Sequence, residues 1–194
     1  LALATDQRMT RREDRAKVRS SFCFGVVVSE LYSLTRQTVG RLTDGHAIEV
    51  APMTAASARS LGAACATFGP WQHYNIGADQ LTASLLDTEG GNRPFEVSVG
   101  DALAGAIVIR DPWLIGPYLV FLGVLPAFQG QRIGEALLRW FEAEALRGGK
   151  RNIWLCVTGA NDRAQRFYRA HGWSVAATLP DLIRDGDDEI IAIA

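Results

Sequence analysis

Residues 124–134 read Val-Leu-Pro-Ala-Phe-Gln-Gly-Gln-Arg-Ile-Gly, a polar, glycine-containing turn between an apolar run and an amphipathic one. A turn of this kind that enters a helix leaves the first backbone N–H groups of the helix unpaired and aimed at one point, where an anion can sit. Gly130 allows close backbone approach and unusual dihedrals, and Gly134 removes a side chain where a ligand or a neighbouring strand needs room. Arg132 can add a fixed positive charge. Two common phosphate-binding turns do not fit, because the glycines are followed by no Gly-Lys-Ser/Thr ending and form no G-x-G-x-x-G.

A second set of residues lies about thirty positions downstream, where Asn161, Ala164 and Tyr168 are spaced for one face of a helix. An asparagine at a helix start caps with its side-chain oxygen and keeps its amide free for another partner. A phenol, with an ordinary pKa of about 10, stays protonated at neutral pH and can give a proton to a leaving group. It can equally serve as a half-buried packing residue.

These residues need a scaffold, and the chain supplies a β-α alternation without internal repeats. Residues 47–50 read as a strand and Thr54 as the cap of a small-residue helix to about 67, ended by Gly69-Pro70. A helix from about 78 carries Leu81, Leu85 and Leu86 and stops at Gly90-Gly91; 95–99 and 103–110 form a hairpin closed by Asp111-Pro112. Residues 118–124 are a nearly continuous apolar run, expected to be covered on both faces and ended by Leu125-Pro126. The clearest helix is 133–147, with Ile133, Leu137, Trp140, Phe141 and Glu144 on one face and Gly148-Gly149 as its stop. A strand at 152–157, a helix at 161–171 closed by Gly172, and strands at 173–178 and 189–193 complete the order.

On these residues the chain resembles the GNAT superfamily of acetyl-CoA-dependent N-acetyltransferases, whose signature Q/R-x-x-G-x-G/A follows the fourth strand. Gln129 and Gly134 match its ends, while Arg132 stands where the middle glycine is usual. The segment Asn161-Asp162-Arg163-Ala164-Gln165-Arg166-Phe167-Tyr168-Arg169-Ala170-His171-Gly172-Trp173 is similar to the family's later N-x-x-A-x-x-F-Y-x-x-x-G-F/W. The likeness covers residues 46–194 and leaves 1–45 as an extension of doubtful order.

The resemblance implies an α/β GNAT-like fold, a central mixed twisted sheet flanked by helices and splayed at its fourth and fifth strands. It implies acetyl-CoA as co-substrate, held by Gln129, Gly130, Gln131, Arg132, Ile133 and Gly134 at its pyrophosphate and by Asn161 along its pantetheine. Tyr168 is then the proton donor to the leaving thiolate, and a backbone N–H near Leu122 to Val124 polarises the acetyl carbonyl. The acceptor is an amine of a small molecule or a protein, with no metal implied and a homodimer allowed. Many relatives carry a carboxylate on the fourth strand to take the amine's proton, but 118–124 has none. His73, Glu96 and Asp111 are the candidates elsewhere, and each also has an ordinary loop or surface role. The missing carboxylate and Arg132 keep open a non-catalytic acyl-CoA-binding or regulatory domain. The aromatic stretch at 69–74 either lines an acceptor pocket or pins its loop to the core.

Composition narrows the setting. The 194 residues suit one domain with an appendage, and 48% apolar content is ample for a core. Twenty basic residues against twenty-one acidic ones give a net charge of −1, so no overall field favours nucleic acid or an anionic membrane. Cys23, Cys65 and Cys156 are odd in number and widely spaced, which argues against a disulfide framework or a zinc site and for a reducing cytoplasm. Cys156 reads as a buried structural thiol. The apolar run at 22–28 is short and is followed by Glu30, so it reads as neither signal peptide nor membrane span.

Overall fold

The computed structural model describes residues 31–194; the apolar run at 22–28 and the rest of the expected extension up to residue 30 lie outside the described residues. In chain order the elements are β1 (Gln37–Arg41), β2 (Ala47–Pro52), α1 (Ala55–Cys65), α2 (Gly69–His73), α3 (Ala78–Leu86), β3 (Asn92–Val99), β4 (Ala102–Trp113) and β5 (Gly116–Val124). They continue with α4 (Ile133–Arg147), β6 (Trp154–Thr158), α5 (Asp162–Ala170), β7 (Ser174–Arg184) and β8 (Asp187–Ile193). The strands form one eight-stranded mixed sheet in the order β1-β2-β3-β4-β5-β6-β8-β7.

Every neighbouring pair in this sheet is antiparallel except β5 with β6, which run parallel. Those two strands pair only through Tyr118 with Trp154 and Leu119 with Leu155, after which they separate. This is the expected splay, displaced by one in strand count because β1 lies upstream of the strands recognised in the sequence.

Residues 31–41 therefore do not behave as the extension expected for 1–45. β1 pairs with β2, and Leu31 and Tyr32 are buried in the main core. Tyr32 donates its hydroxyl to the Phe141 carbonyl at 3.2 Å, stacks on Phe141 and lies edge-on to Trp140. Its backbone N–H donates to Glu144 Oε2 at 2.9 Å, and the Arg93 guanidinium donates to the Leu31 carbonyl. Glu144 is accordingly buried on the apolar face of α4, where a carboxylate needs such partners.

One face of the sheet packs on α4 through Ile133, Leu137, Leu138 and Phe141, with Ala164 and Phe167 of α5 and the following Trp173 packed alongside. The other face carries Ala106 and Val108 against Ala58 and Leu61 of α1 and Leu85 of α3. The small residues of α1 let α3 approach closely, since a Cβ on Gly62 would sit 2.3 Å from Thr82 Oγ1. Thr54 caps α1 by accepting the Ser57 N–H at 3.1 Å.

Local departures from the sequence reading have physical causes. Gly69-Pro70 does not simply end α1; Pro70 opens the one-turn helix α2, a position where its missing N–H costs nothing. Strand β4 runs through Asp111-Pro112 to Trp113, because the ladder shifts register between Arg110 and Trp113 and asks no hydrogen bond of the proline. Val120 of β5 is 39% exposed, since Val108 faces Phe121 and Ile109 faces Leu119, leaving Val120 as the extra residue of a bulge.

The burial of Tyr32 gives a test of the boundary. Tyr32→Ala should cost about 3–5 kcal/mol in chemical denaturation, as loss of a buried aromatic ring does. A loss below about 0.5 kcal/mol, the range of exposed sites, would put residues 31–36 outside the folded unit.

Candidate active site

The site forms where β5 leaves β6. Leu125 N–H donates to the Ala104 carbonyl of β4 at 2.8 Å. Strand alternation then turns the Leu122 and Val124 N–H groups the other way, towards the gap. The chain turns through Pro126–Phe128 and enters α4 after Arg132.

The N-terminus of α4 is bare. Its first ladder bond is Ala136 N–H to the Arg132 carbonyl at 3.0 Å, and no side chain caps it. The amides of Ile133, Gly134 and Glu135 therefore precede any intrahelical acceptor and converge on one side, with the positive end of the helix dipole behind them. Gly130 has φ +79°, and a Cβ there would meet nothing within 4 Å, so backbone conformation alone calls for glycine. Gly134 is the reverse case: a Cβ would make ordinary 3.5 Å contact with Phe167, so the fold tolerates one, and its absence leaves space at the start of α4.

Arg132, at the position of the expected middle glycine, has φ +63°. The turn keeps the left-handed conformation of a glycine and imposes it on an arginine, at a cost of about 1–2 kcal/mol. The Arg132 guanidinium is engaged by Glu135, with Nε to Oε2 at 2.7 Å and NH2 to Oε1 at 3.0 Å, and holds that carboxyl below its usual range. Arg139 shares the same carboxylate at 2.6 Å.

A cavity of about 580 Å³ opens beside these amides, within the size range of small-molecule sites. Leu122, Val124, Gln129, Gly130, Arg132, Ile133, Gly134, Asn161 and Tyr168 all line it, so nine of the expected site residues come together. Gln131 does not line it, and its side chain donates to the Ala127 carbonyl at 3.1 Å. Gln129 also turns inward, donating Nε2 to the Val124 carbonyl at 2.9 Å, so it fastens the turn to the end of β5.

From the far wall, α5 contributes Asn161, Ala164 and Tyr168 on one face. Asn161 caps α5, its Oδ1 accepting the Ala164 N–H at 3.1 Å, which leaves the amide NH2 for a ligand. Gln165 binds α5 to the end of β6 by donating to the Gly159 carbonyl at 2.7 Å. Tyr168 is half-buried at the cavity edge; desolvation first, and Tyr118 second, push its phenol well above the ordinary range and keep it protonated. His171, not singled out in the sequence, also lines the cavity, with Nδ1 2.7 Å from the Phe167 carbonyl. It occupies an unspecified position of the later motif, so no pattern marked it.

Of the three candidate bases from the sequence, Glu96 and Asp111 lie away from the gap, while His73 sits beside Tyr74 and is engaged by β7 and β8. Glu96 accepts from Thr54 N–H and Oγ1 at 3.3 and 3.2 Å, at the start of α1. Asp111 lies beyond Arg110, which faces Tyr118, at the end of β5 remote from Val124, with Lys150 3.7 Å away. His73 Nε2 sits 3.2 Å from Asp187 and 2.9 Å from Arg184. Within the aromatic stretch at 69–74, Trp71 lines the cavity and stacks on Phe121 at 4.7 Å, which pins the loop to β5; Phe68, just before the stretch, lines the cavity too. Cys156 is half-buried, its thiol pushed up to about 12 by burial and then by Glu189, which disfavours the thiolate form.

A sequence model of the acetyltransferase (GNAT) family matches residues 59–173, which takes in the turn, the gap and α5. The chain belongs to the GNAT family of acetyltransferases. Solved GNAT structures share the fold: the ribosomal-protein-S18-alanine N-acetyltransferase from Escherichia coli is 19% identical, with 75% of this chain and 92% of that one aligned at a TM-score of 0.59. Ard1 from Thermoplasma volcanium is 19% identical over 76% of this chain and 96% of its own, with a TM-score of 0.60. An aminoglycoside 6'-N-acetyltransferase complexed with coenzyme A is 16% identical over 75% and 95%, with a TM-score of 0.59. GNAT enzymes draw on acetyl-CoA. Among the described residues no helix is long and apolar enough to cross a membrane, and no cluster of three or more His, Cys, Asp or Glu could hold a metal ion.

Two substitutions in the turn separate stability from binding. Arg132→Gly should be more stable than Arg132→Ala by about 1 kcal/mol, because both lose the Glu135 pair but only glycine takes φ +63° without strain; equal melting temperatures would contradict the left-handed cap. Gly134→Ala should leave stability unchanged or raise it by up to about 1 kcal/mol, yet weaken coenzyme A binding in calorimetry. Unweakened binding would show that the space beside Gly134 is not used by the ligand.

Proposed function

We propose that this enzyme moves the acetyl group of acetyl-CoA directly to an amine of a small molecule or a peptide. The observation that carries the reading is that the bare N-terminus of α4, the free N–H groups of β5 and the Tyr168 phenol border one cavity. Acetyl-CoA supplies a pyrophosphate to be held and an activated acetyl thioester to be attacked.

In this reading the amides of Ile133, Gly134 and Glu135 hold the pyrophosphate, with Gly130 allowing its approach and Gln129 fixing the turn. Arg132 adds positive charge at the rim, shared with Glu135. The Asn161 amide orients the pantetheine, and the outward N–H groups of Leu122 and Val124 stabilise charge on the acetyl oxygen. Tyr168, kept protonated by its surroundings, gives its proton to the departing thiolate and regains one from the acylated nitrogen. A cytoplasmic setting fits the buried free thiol Cys65 and the half-buried Cys156.

The acceptors named for two fold neighbours, a ribosomal-protein alanine and an aminoglycoside, define a useful panel. Thiol release from acetyl-CoA should be measured with an alanine-initiated tetrapeptide, Nα-acetyllysine amide, spermidine and kanamycin. At least one amine should turn over, and Tyr168→Phe should lower kcat by about 10²–10⁴-fold with little change in KM for acetyl-CoA. Coenzyme A binding without thiol release for any amine would contradict direct transfer, and an unchanged kcat in Tyr168→Phe would remove that residue from the chemistry.

A further inference from the structure

The acceptor amine is protonated at neutral pH and must lose a proton before it can attack, and the carboxylates suggested by the sequence are not at the gap. The structure holds another. Glu189, on β8, faces Thr158 at the end of β6, three residues beyond the last pairing of β6 with β5. It is 4% exposed. Its Oε1 accepts the Tyr74 hydroxyl at 2.7 Å and its Oε2 accepts the Cys156 thiol at 3.3 Å. The Tyr74 oxygen is also 2.9 Å from Thr158 Oγ1. With Thr158 donating to it and its own proton directed to Glu189, the phenol keeps one lone pair for an incoming donor.

The one-turn helix α2 and the residue after it bridge the gap. Trp71 stacks on Phe121 of β5 at 4.7 Å, and three residues later Tyr74 reaches β6 and β8. Trp71 and Phe121 offer an apolar wall, and Tyr74 with Glu189 offers a hydrogen-bonded carboxylate. Such a pair of surfaces suits an ammonium group attached to an apolar or flat body. The other charged or titratable groups facing this cluster are Tyr118 of β5, Cys156 of β6, Asp187 of β8, Arg184 of β7 and His73 of α2; Arg184 and His73 both pair with Asp187. No cation pairs with Glu189 among the described residues.

Building on the transfer reading above, we propose that Tyr74 binds the acceptor's ammonium at the end of an acceptor subsite walled by Trp71 and Phe121, and that Glu189, acting through Tyr74, takes the proton. The ammonium gives one proton to the Tyr74 oxygen while Tyr74 passes its own to Glu189. The freed nitrogen lone pair forms the C–N bond and the C–S bond breaks. The nitrogen's second proton replaces the one that Tyr168 gives to the thiolate, and Glu189 later releases its proton to solvent. The balance is one ammonium and one thioester giving one amide, one thiol and one proton. Tyr74 is thus the catalytic group and Glu189 a positioning residue and proton sink behind it.

The test is the pH dependence of kcat/KM with Nα-acetyllysine amide and the alanine-initiated tetrapeptide, for wild type, Glu189→Gln and Tyr74→Phe. Wild type should accept the ammonium form and vary little below the amine's pKa. Both variants should need the neutral amine: on the order of 10²-fold slower at pH 7 with the lysine probe, regaining about tenfold per pH unit, and less impaired with the less basic tetrapeptide. A loss that is the same at every pH and for both probes, or no loss in either variant, would overturn the proposal and leave the cluster a structural tie between α2 and β8. Tyr74→Phe retains the carboxylate and the ring, so it answers the question even where Glu189→Gln does not fold. Absence of thiol release by wild type with any amine would overturn the transfer reading itself, a result distinct from pH-independent losses.

Discussion

The site depends on one interruption: β5 and β6 pair at two positions and then part. A parallel pair that stayed together would use the outward N–H and C=O groups of Leu122 and Val124 in its ladder and leave no room between the strands. Separation leaves these groups to find other partners, and in a buried region they need them. Gln129 answers the Val124 carbonyl. The N–H groups stay open on the cavity that also receives the N-terminus of α4 and one face of α5. The parallel direction matters too, because it brings the C-terminal end of each strand, and the start of the helix that follows, to the same edge.

The turn before α4 shows how function and stability divide. Gly130 and Arg132 both have positive φ, and only glycine meets that without strain. The arginine at 132 is held in place by a bidentate bond to Glu135, so charge is presented at the cavity rim by a residue the backbone disfavours. Gly134 carries the opposite signature, an easy site for a side chain that has none. Strain accepted at one position and space left unused at another both fit a surface shaped for a ligand.

Local features were legible in the sequence and distant ones were not. The turn at 129–134, the cap at Asn161 and the long helix announce themselves through residues a few positions apart, so nine of the residues that line the cavity could be named in advance. β1 escaped because Gln37-Thr38-Val39-Gly40-Arg41 has a single large apolar residue and a register shift, and its packing relies on Gly40 meeting Ala136. Glu189 escaped because nothing near it in the chain marks it: Tyr74 and Cys156 reach it from 115 and 33 residues away. Glu96 drew notice as a carboxylate on a strand and Asp111 as one just past the next strand; hydrogen bonds show that the first serves the start of α1, and register shows that the second lies at the wrong end of β5.

In the proposed reaction the uncapped start of α4 holds the pyrophosphate of acetyl-CoA. Backbone amide resonances followed by NMR during titration with coenzyme A test it most directly. The amide signals of Ile133, Gly134 and Glu135 should move furthest and saturate together with the binding curve. Saturation by coenzyme A with those three signals unmoved, while amides elsewhere shift, would contradict it.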